Sequence, residues 1–598
     1  MNKDYRLDLD LMKAIAIIGV VFYHIGWLDT GYLGVDVFFV INGYFILPSL
    51  LLKIDHEGGS FKIFNYLVYR IMRLWPLIIL ASIICLGVGY IGMLPDDYEN
   101  LSQSVIASDL MSQNILSAIT TKNYWDAVNE YKPLMHFWYV GILVEFYIFI
   151  VLLLKFIYWC VQKVNLVHKY KTISTYIIWV LLIVSFILYI LPITTIAEKF
   201  YYLPCRLYEL LAGGLVGIYS ANLSSRRIVP FSSIYILFII ATIICGALYI
   251  PKEVGEINIV SATETTTMLI PQNVLLIITV LLTCILLICK QHVINNKIEK
   301  SIAYIGKISF SIFVWHQILL AFYRYFIDDK MSIFFVFGLL VITSLLSFIT
   351  YTMIEQKVKP TINNFIICGI CVIITLIPAT LVYLNAGVVR DVPELNVQKG
   401  NVYKGMFAEY CDRVYKYNRD FKDIRKIKVL VEGVSFGRDF ANILLESEYA
   451  DKIELSYIFK HNVKYLNRYQ DCDILFTFSN KKDVPDYVWK SISTKTKVYG
   501  IGTKNFGTSN GIIYQKRNNN NYFLQEVEIN SNYYLMNDIW KQEWGEFYID
   551  FLSLSRGKNG GIRVFTDNNK FISQDCRHLT KEGAIWFAKV IDFEKIFN

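Results

Sequence analysis

Up to about residue 386 the chain is a succession of apolar runs, about eleven of them long enough to cross roughly 30 Å of hydrocarbon. They centre near residues 20, 43, 84, 149, 183, 211, 240, 281, 315, 343 and 375. Backbone immersed in lipid has no water to satisfy its N–H and C=O groups, so each such run must be a helix. From about residue 387 the polarity is that of an ordinary soluble protein, and the 55% hydrophobic content of the 598 residues averages over two solvents. The expected organisation is a polytopic α-helical membrane domain over residues 1–386, a linker over 387–424, and an extracytoplasmic α/β domain over 425–598. No cleavable signal peptide is expected, because the first apolar run leads directly into another at Val35–Leu52 without a small-residue cleavage site.

The loops assign the sides. Lys3 and Arg6, Lys62 with Arg70 and Arg73, Lys163 with Lys169 and Lys171, Arg226 and Arg227, Lys290 with Lys297 and Lys300, and Lys357 with Lys359 fall in every second connection. The intervening connections carry acids such as Asp96, Asp97 and Glu99, Glu253 and Glu256, and Asp328 and Asp329. Positive charge stays inside, which puts the N-terminus in the cytoplasm and the part after about 386 outside. The net charge of +8 largely reflects those loops, and no basic stripe with interleaved aromatics suggests a nucleic-acid partner. Most of the eleven cysteines sit in apolar runs; Cys411, Cys472 and Cys576 lie outside, without metal-ligand spacing, so neither zinc nor any other metal is expected and at most one bridge could form there.

Within the runs, polar residues stand where lipid opposes them. His24 ends the apolar stretch from Ala14 and is an ionisable group whose burial costs several kcal/mol unless it is paired or put to use. Lys13 lies eleven residues earlier, close to three helical turns, so the two project from one face about 16 Å apart. A cytoplasmic cation and a deeper base on one stripe suit an anionic co-substrate entering from inside. Asp36 and Asn42-Gly43 place a carboxylate and an amide in the second helix. Arg70 and Arg73, three residues apart at the start of the third, could clamp phosphates or simply fix topology. His136-Phe137-Trp138 begins a helix carrying Glu145; Arg206 and Glu209 place an ion pair beside the small packing residues Gly213-Gly214; Ser309 through Gln317 sets a polar cluster including His316; Glu355 closes the tenth helix.

Outside the membrane, Lys428 to Glu432 reads as a strand ending at Gly433-Val434-Ser435, which presents a serine at the start of a helix. Asp575 stands three residues before His578, the spacing at which a carboxylate orients an imidazole as base for a distant serine. Apolar runs at 453–459, 473–479 and 497–502 with helical stretches between them predict a doubly wound α/β domain.

The order of membrane motifs, over about residues 5–360, resembles the acyltransferase 3 family, and the outer domain is similar to the SGNH-type hydrolases and transesterases. The resemblance implies a bacterial inner-membrane, multi-pass O-acyltransferase with His24 as the catalytic histidine and Ser435, Asp575 and His578 as an outer triad. It places Lys13, Asp36, Arg70, Arg73, Glu145, Arg206, Glu209 and His316 on the substrate side, with Arg70 and Arg73 serving acyl-CoA. No bound cofactor is implied; acetyl-CoA is the donor substrate, and the partners are an extracytoplasmic polysaccharide acceptor and membrane lipid. The acceptor it suggests is lipopolysaccharide O-antigen, with peptidoglycan as alternative; from another class, a glycan transporter or flippase with an outer binding domain also fits intramembrane polar groups. The sequence departs from the family at Lys13, where arginine is usual, at Glu145, where glutamine is, and at Val434, where the outer motif has aspartate. Gly500, Gly502 and Asn480 are candidates for the oxyanion donors.

Overall fold

The computed structural model describes residues 6–120, 130–220, 228–230, 272–288, 290–292, 297–400, 406–423 and 425–597. These fall into two compact units: a helical one, made of the described residues through Ile91 and from Asn100 to Leu381, and a second, made of Gly92–Glu99 and the described residues from Val382 on.

In the helical unit, α1 (Leu7–Ile25), α2 (Gly34–Glu57), α3 (Ile63–Ile71), α4 (Trp75–Gly92), α5 (Trp138–Lys163), α6 (Tyr170–Ile190), α7 (Leu203–Ser220), α8 (Gln272–Ile288), α9 (Lys297–Lys307), α10 (Ser309–Phe326), α11 (Ile333–Thr350) and α12 (Ile362–Leu384) form the bundle. A helix stands at each expected centre except 240, which lies outside the described residues. Among the described residues, six helical stretches are long and apolar enough to cross a membrane: Gly31–Ser60, Trp75–Gly92, Met135–Lys163, Val167–Ile190, Ile333–Glu355 and Ile362–Leu384. The pair α9 and α10, bent by 69° at a short break, makes a seventh if counted as one span. The expectation of about eleven spans is therefore met only in part. The shortfall has a physical pattern: α1 carries Asp8, Asp10 and Lys13, α7 carries Arg206 and Glu209, and α8 has 17 residues. Charged side chains lower the hydropathy of α1 and α7, and α8 is short.

Helices α2 and α7 pack backbone to backbone. A Cβ on Gly43 would lie 1.8 Å from the Leu210 carbonyl oxygen, and one on Gly213 would lie 1.9 Å from that of Val40. Small residues allow this approach, which replaces the hydrophobic drive that lipid cannot supply with van der Waals contact.

The second unit holds a five-stranded, all-parallel sheet of β1 (Ile427–Glu432), β2 (Ile453–Ile458), β3 (Ile474–Thr477), β4 (Lys497–Ile501) and β5 (Tyr548–Ile549) in the order β2-β1-β3-β4-β5. The strands are buried on both faces and read as near-continuous apolar runs, as parallel strands must. Val429 and Val431 face one cluster with Phe440 and Phe587; Leu430 faces the other with Trp540 and Trp544. Helix α13 (Ser435–Glu446) follows β1 and packs beside α14 (Lys581–Val590). Chain order reverses between β1 and β3, so the crevice beyond their carboxyl ends is where such a sheet takes a ligand. Within the segment read as a linker, Val388, Val392 and Val397 are buried against Ile513, Tyr514 and Phe571.

Candidate functional site

In the helical unit, a cavity of about 360 Å³ opens among Lys13 on α1, Asn42 on α2, Arg70 and Arg73 at the α3–α4 break, Tyr139 and Tyr147 on α5, Lys307, Phe310 and Phe313 near the α9–α10 bend, and Glu355. Four cations meet one carboxylate there, and aromatic rings cover much of the wall. The Arg70 guanidinium lies 5.3 Å from the Tyr66 ring and 5.8 Å from that of Tyr147. Lys13 reaches Asp10 at 3.3 Å. Asn42 donates to the Tyr139 hydroxyl at 2.7 Å, and the Ser311 hydroxyl donates to Glu355, which closes a single π-helical turn, Tyr351–Glu355. Turns of that kind recur at functional sites.

Phe313 links the cavity to a group of histidines. It lines the cavity, and its ring lies 4.8 Å from the ring of His136. Beside it three buried histidines converge: the His24 and His316 rings are 5.2 Å apart, and the His316 and His136 rings 5.5 Å. His316 Nδ1 lies 3.0 Å from the Ile312 carbonyl oxygen, which can only accept, so Nδ1 carries the proton and Nε2 is the basic nitrogen. That Nε2 and both ring nitrogens of His136 have no hydrogen-bond partner. Buried polar atoms are ordinarily paired, so three orphaned ring nitrogens in one place point to a site that expects a ligand. Arg324, one turn from the end of α10, donates to the His24 carbonyl at 2.5 Å and fixes the end of α1.

The structure thus brings Lys13, Arg70 and Arg73 to one cavity and sets His24 beside His316. Asp36, Arg206 and Glu209 gather elsewhere: Arg206 Nη1 reaches Asp36 Oδ1 at 2.7 Å and Glu209 Oε1 at 2.9 Å, all three buried, between α2 and α7. None of the three lines the cavity. Glu145 accepts from Asn114 at 2.9 Å and also stands apart. Sequence reasoning did not select His136, Lys307, Tyr139 or Phe313 as site residues. His136 carried the same signal as His24, a histidine at the edge of an apolar run.

In the second unit, Gly433 has φ +141°, and a Cβ there would lie 2.9 Å from Cβ of Phe478; only glycine makes this turn. The turn delivers Ser435 to the first position of α13. Asp575 and His578 are joined as expected: His578 Nδ1 donates to Asp575 Oδ2 at 2.6 Å, while the amides of Arg577 and His578 donate to Oδ1 at 3.0 and 2.7 Å. Desolvation opposes ionisation of Asp575, but these bonds and the adjacent imidazole hold its carboxyl down at about 2. A permanent carboxylate on Nδ1 leaves Nε2 as the acceptor, the tautomer a general base requires. Asn480, just past β3, has a buried side-chain oxygen without a partner. Gly500 and Gly502 are small because Trp544 and the Ile549 carbonyl press on them, at 2.5 and 2.3 Å from a hypothetical Cβ.

A further cluster fills the other face at the sheet's crest. His461 Nε2 lies 3.0 Å from Glu432 Oε2, which also accepts from the Thr477 hydroxyl, and Ser479 Oγ is 3.4 Å from the same imidazole nitrogen. Burial raises the Glu432 carboxyl to about 7 and lowers His461 to about 4. Cys411, Cys472 and Cys576 are free and buried, and no group of histidine, cysteine and acidic side chains among the described residues could hold a metal ion.

Residues 6–352 match the family model described as "Acyltransferase domain". Curated proteins similar to this chain include "Putative O-acetyltransferase SAS0844" of Staphylococcus aureus strain MSSA476, 26% identical over 380 residues, and "O-acetyltransferase OatA" of Staphylococcus aureus strain NCTC 8325 / PS 47, 22% identical over 377 residues. Each match covers 59% of this chain and 57% of the relative's length. No solved structure matches.

Proposed function

Since the chain belongs to the acyltransferase 3 family, we propose that it is a multi-pass membrane O-acyltransferase that moves an acetyl group from cytoplasmic acetyl-CoA to hydroxyls of an extracytoplasmic bacterial polysaccharide. The observation that carries this reading is a pairing in the helical unit: a cavity lined by Lys13, Arg70, Arg73, Lys307 and Phe313, and orphaned histidine nitrogens beside Phe313. Cations suit the phosphates of CoA, and the arginines can form forked contacts with them. The aromatic wall suits the uncharged arm behind the phosphates. At the histidines an imidazole can take the proton of an attacking carrier hydroxyl, so that the carrier becomes the acetyl ester while the CoA thiolate leaves. His24 is the base in this scheme.

In the second unit Ser435 Oγ then attacks the carrier ester and takes the acetyl group, while the carrier leaves as its alcohol with the proton that His578 Nε2 removed from serine. His578 next takes the proton of the sugar hydroxyl, which attacks the acyl-serine and releases Ser435, and Asp575 stabilises the imidazolium in both steps. Asn480 is the side chain we assign to the developing oxyanion. The N-terminus is cytoplasmic and the second unit extracytoplasmic in this reading, which the alternation of basic and acidic loops supports.

The experiment is mass spectrometry of surface glycans from a deletion strain complemented with the wild type, His24→Ala or Ser435→Ala. Loss of O-acetyl groups with each variant, at normal protein levels, is expected. Full acetylation with His24→Ala overturns the acyltransfer scheme. The glycan whose ester disappears, O-antigen or peptidoglycan, identifies the acceptor.

A further inference from the structure

We infer that Asp439 and Lys504 are positioning residues that hold the Asp575–His578 loop in register with Ser435, an inference that rests on reading Ser435 and His578 as nucleophile and base. Asp439 lies four residues after Ser435 on α13, one turn along the same face. Its Oδ2 accepts the amide of Leu579, the residue next to His578, at 3.1 Å. The same oxygen lies 2.8 Å from Lys504 Nζ, and both side chains are almost wholly buried, 2% and 1% exposed. The Lys504 ammonium also sits 3.5 Å from the centre of the Phe436 ring, the residue next to Ser435. One ion pair therefore touches the immediate neighbours of the proposed nucleophile and of the proposed base.

The loop is held from one more direction. Phe506 donates its amide to the Cys576 carbonyl at 2.8 Å, and Asn510 donates to the carbonyls of Ser573 and Gln574 at 2.9 and 2.8 Å. These contacts come from the stretch after β4 that also supplies Lys504, so the pair ties together the helix bearing Ser435, that stretch, and the loop bearing His578. A buried ion pair is a poor source of stability, because desolvation cancels most of the attraction. Two apolar side chains would fill the space as well but would leave the Leu579 amide unpaired and His578 free to shift. A displacement of 1 Å at a reacting group can cost about 10²-fold in rate.

The pair also balances charge beside the dyad. The other groups acting on Asp575 and its surroundings are His578 and Arg577 of its own loop, Arg438 on α13, the Cys411 thiol, and Asp96 and Asp97 of Gly92–Glu99. Removing either member of the pair leaves an uncompensated charge of known sign close to His578.

The test uses the full-length protein in detergent and follows hydrolysis of 4-nitrophenyl acetate against pH. Lys504→Met, which leaves a carboxylate, is expected to move the acid limb of kcat upward by about one pH unit. Asp439→Asn, which leaves an ammonium, should move it downward by about as much. Both should lower kcat by about 10²-fold with KM within threefold. In the double variant, whose amide can still accept from Leu579, the limb returns to its original place. Lys504→Arg keeps the charge and should lower kcat without moving the limb, which keeps the test sharp where Lys504→Met does not fold. Single variants that lose activity with an unmoved limb would show the pair to be packing alone and overturn the inference. Undiminished hydrolysis by Ser435→Ala overturns the outer triad and the inference with it, whereas its loss there beside unmoved limbs defeats the inference alone.

Discussion

The rings of His24 and His316 face each other at 5.2 Å between centroids, one from the last turn of α1 and the other from the middle of α10. The carbonyl of Ile312 fixes the His316 tautomer and so aims a basic Nε2 away from its own helix backbone. His316→Asn keeps a donor where Nδ1 stands but removes Nε2. It is expected to insert and accumulate normally while lowering glycan acetylation by about 10²-fold, the usual worth of a positioned acid or base. Near-normal acetylation, read by mass spectrometry, would reduce His316 to a packing residue.

The donor side separates from the chemistry by kinetics. Arg70→Ala and Arg73→Ala each remove a charged hydrogen-bonding group from the cavity edge, a loss of about 1.5–3 kcal/mol where the partner is a phosphate. Each is expected to raise KM for acetyl-CoA at least tenfold in membrane vesicles and to leave kcat within about twofold, the pattern of a group that binds ground and transition states alike. An unchanged KM would leave the pair with only a topological role.

Much of this was legible in the sequence, for reasons that differ by element. A lipid-immersed chain admits few structures, so ten of the helix positions could be read from apolar runs alone. The β1–Ser435 turn was legible because Gly433 must adopt a left-handed φ, and the Asp575–His578 bond because three residues fix a short loop. The clustering of His136 with His24 and His316 was not, since nothing in spacing says which helices touch. The Arg206–Glu209 ion pair was legible as opposite charges three residues apart on one helix, whereas nothing in spacing says that Asp36, on another helix, joins it. Lys504 carried no signal at all, being one lysine among many until its burial against Asp439 is seen.

That triad has its own test. Two carboxylates share one guanidinium, and the Asp36 and Glu209 carboxyls also meet each other. Arg206→Met strands two acidic groups in the bundle at a cost of about 3–5 kcal/mol. The variant is therefore expected to accumulate at a small fraction of the wild-type level, as judged by immunoblotting of membranes. Glu209→Gln removes the surplus acid and should accumulate close to normally. An Arg206→Met protein that is abundant yet inactive would instead return Arg206 to substrate binding.

Glu432 and His461 provide a signed dependence on pH in the second unit. Burial holds the Glu432 carboxyl at about 7, above the 4.5 of an unfolded chain. The unfolded state therefore releases its proton first, and stability falls as pH rises from about 4.5 to 7. His461 is held at about 4, below its unfolded 6.5. There the unfolded state binds its proton first, so stability falls as pH drops from about 6.5 to 4. Each effect amounts to about 3 kcal/mol across its window, since a tenfold change in proton affinity between the folded and unfolded states is worth about 1.4 kcal/mol. In the wild type the two oppose each other between about pH 4.5 and 6.5 and nearly cancel. Glu432→Gln leaves only the histidine, so its stability should climb with pH across that interval; His461→Gln leaves only the carboxyl, so its stability should decline. Proteolytic susceptibility of the second unit in urea, measured on the full-length protein at several pH values, reads both slopes. Parallel slopes in the two variants would mean that the contact at 3.0 Å between His461 and Glu432 does not hold both groups neutral.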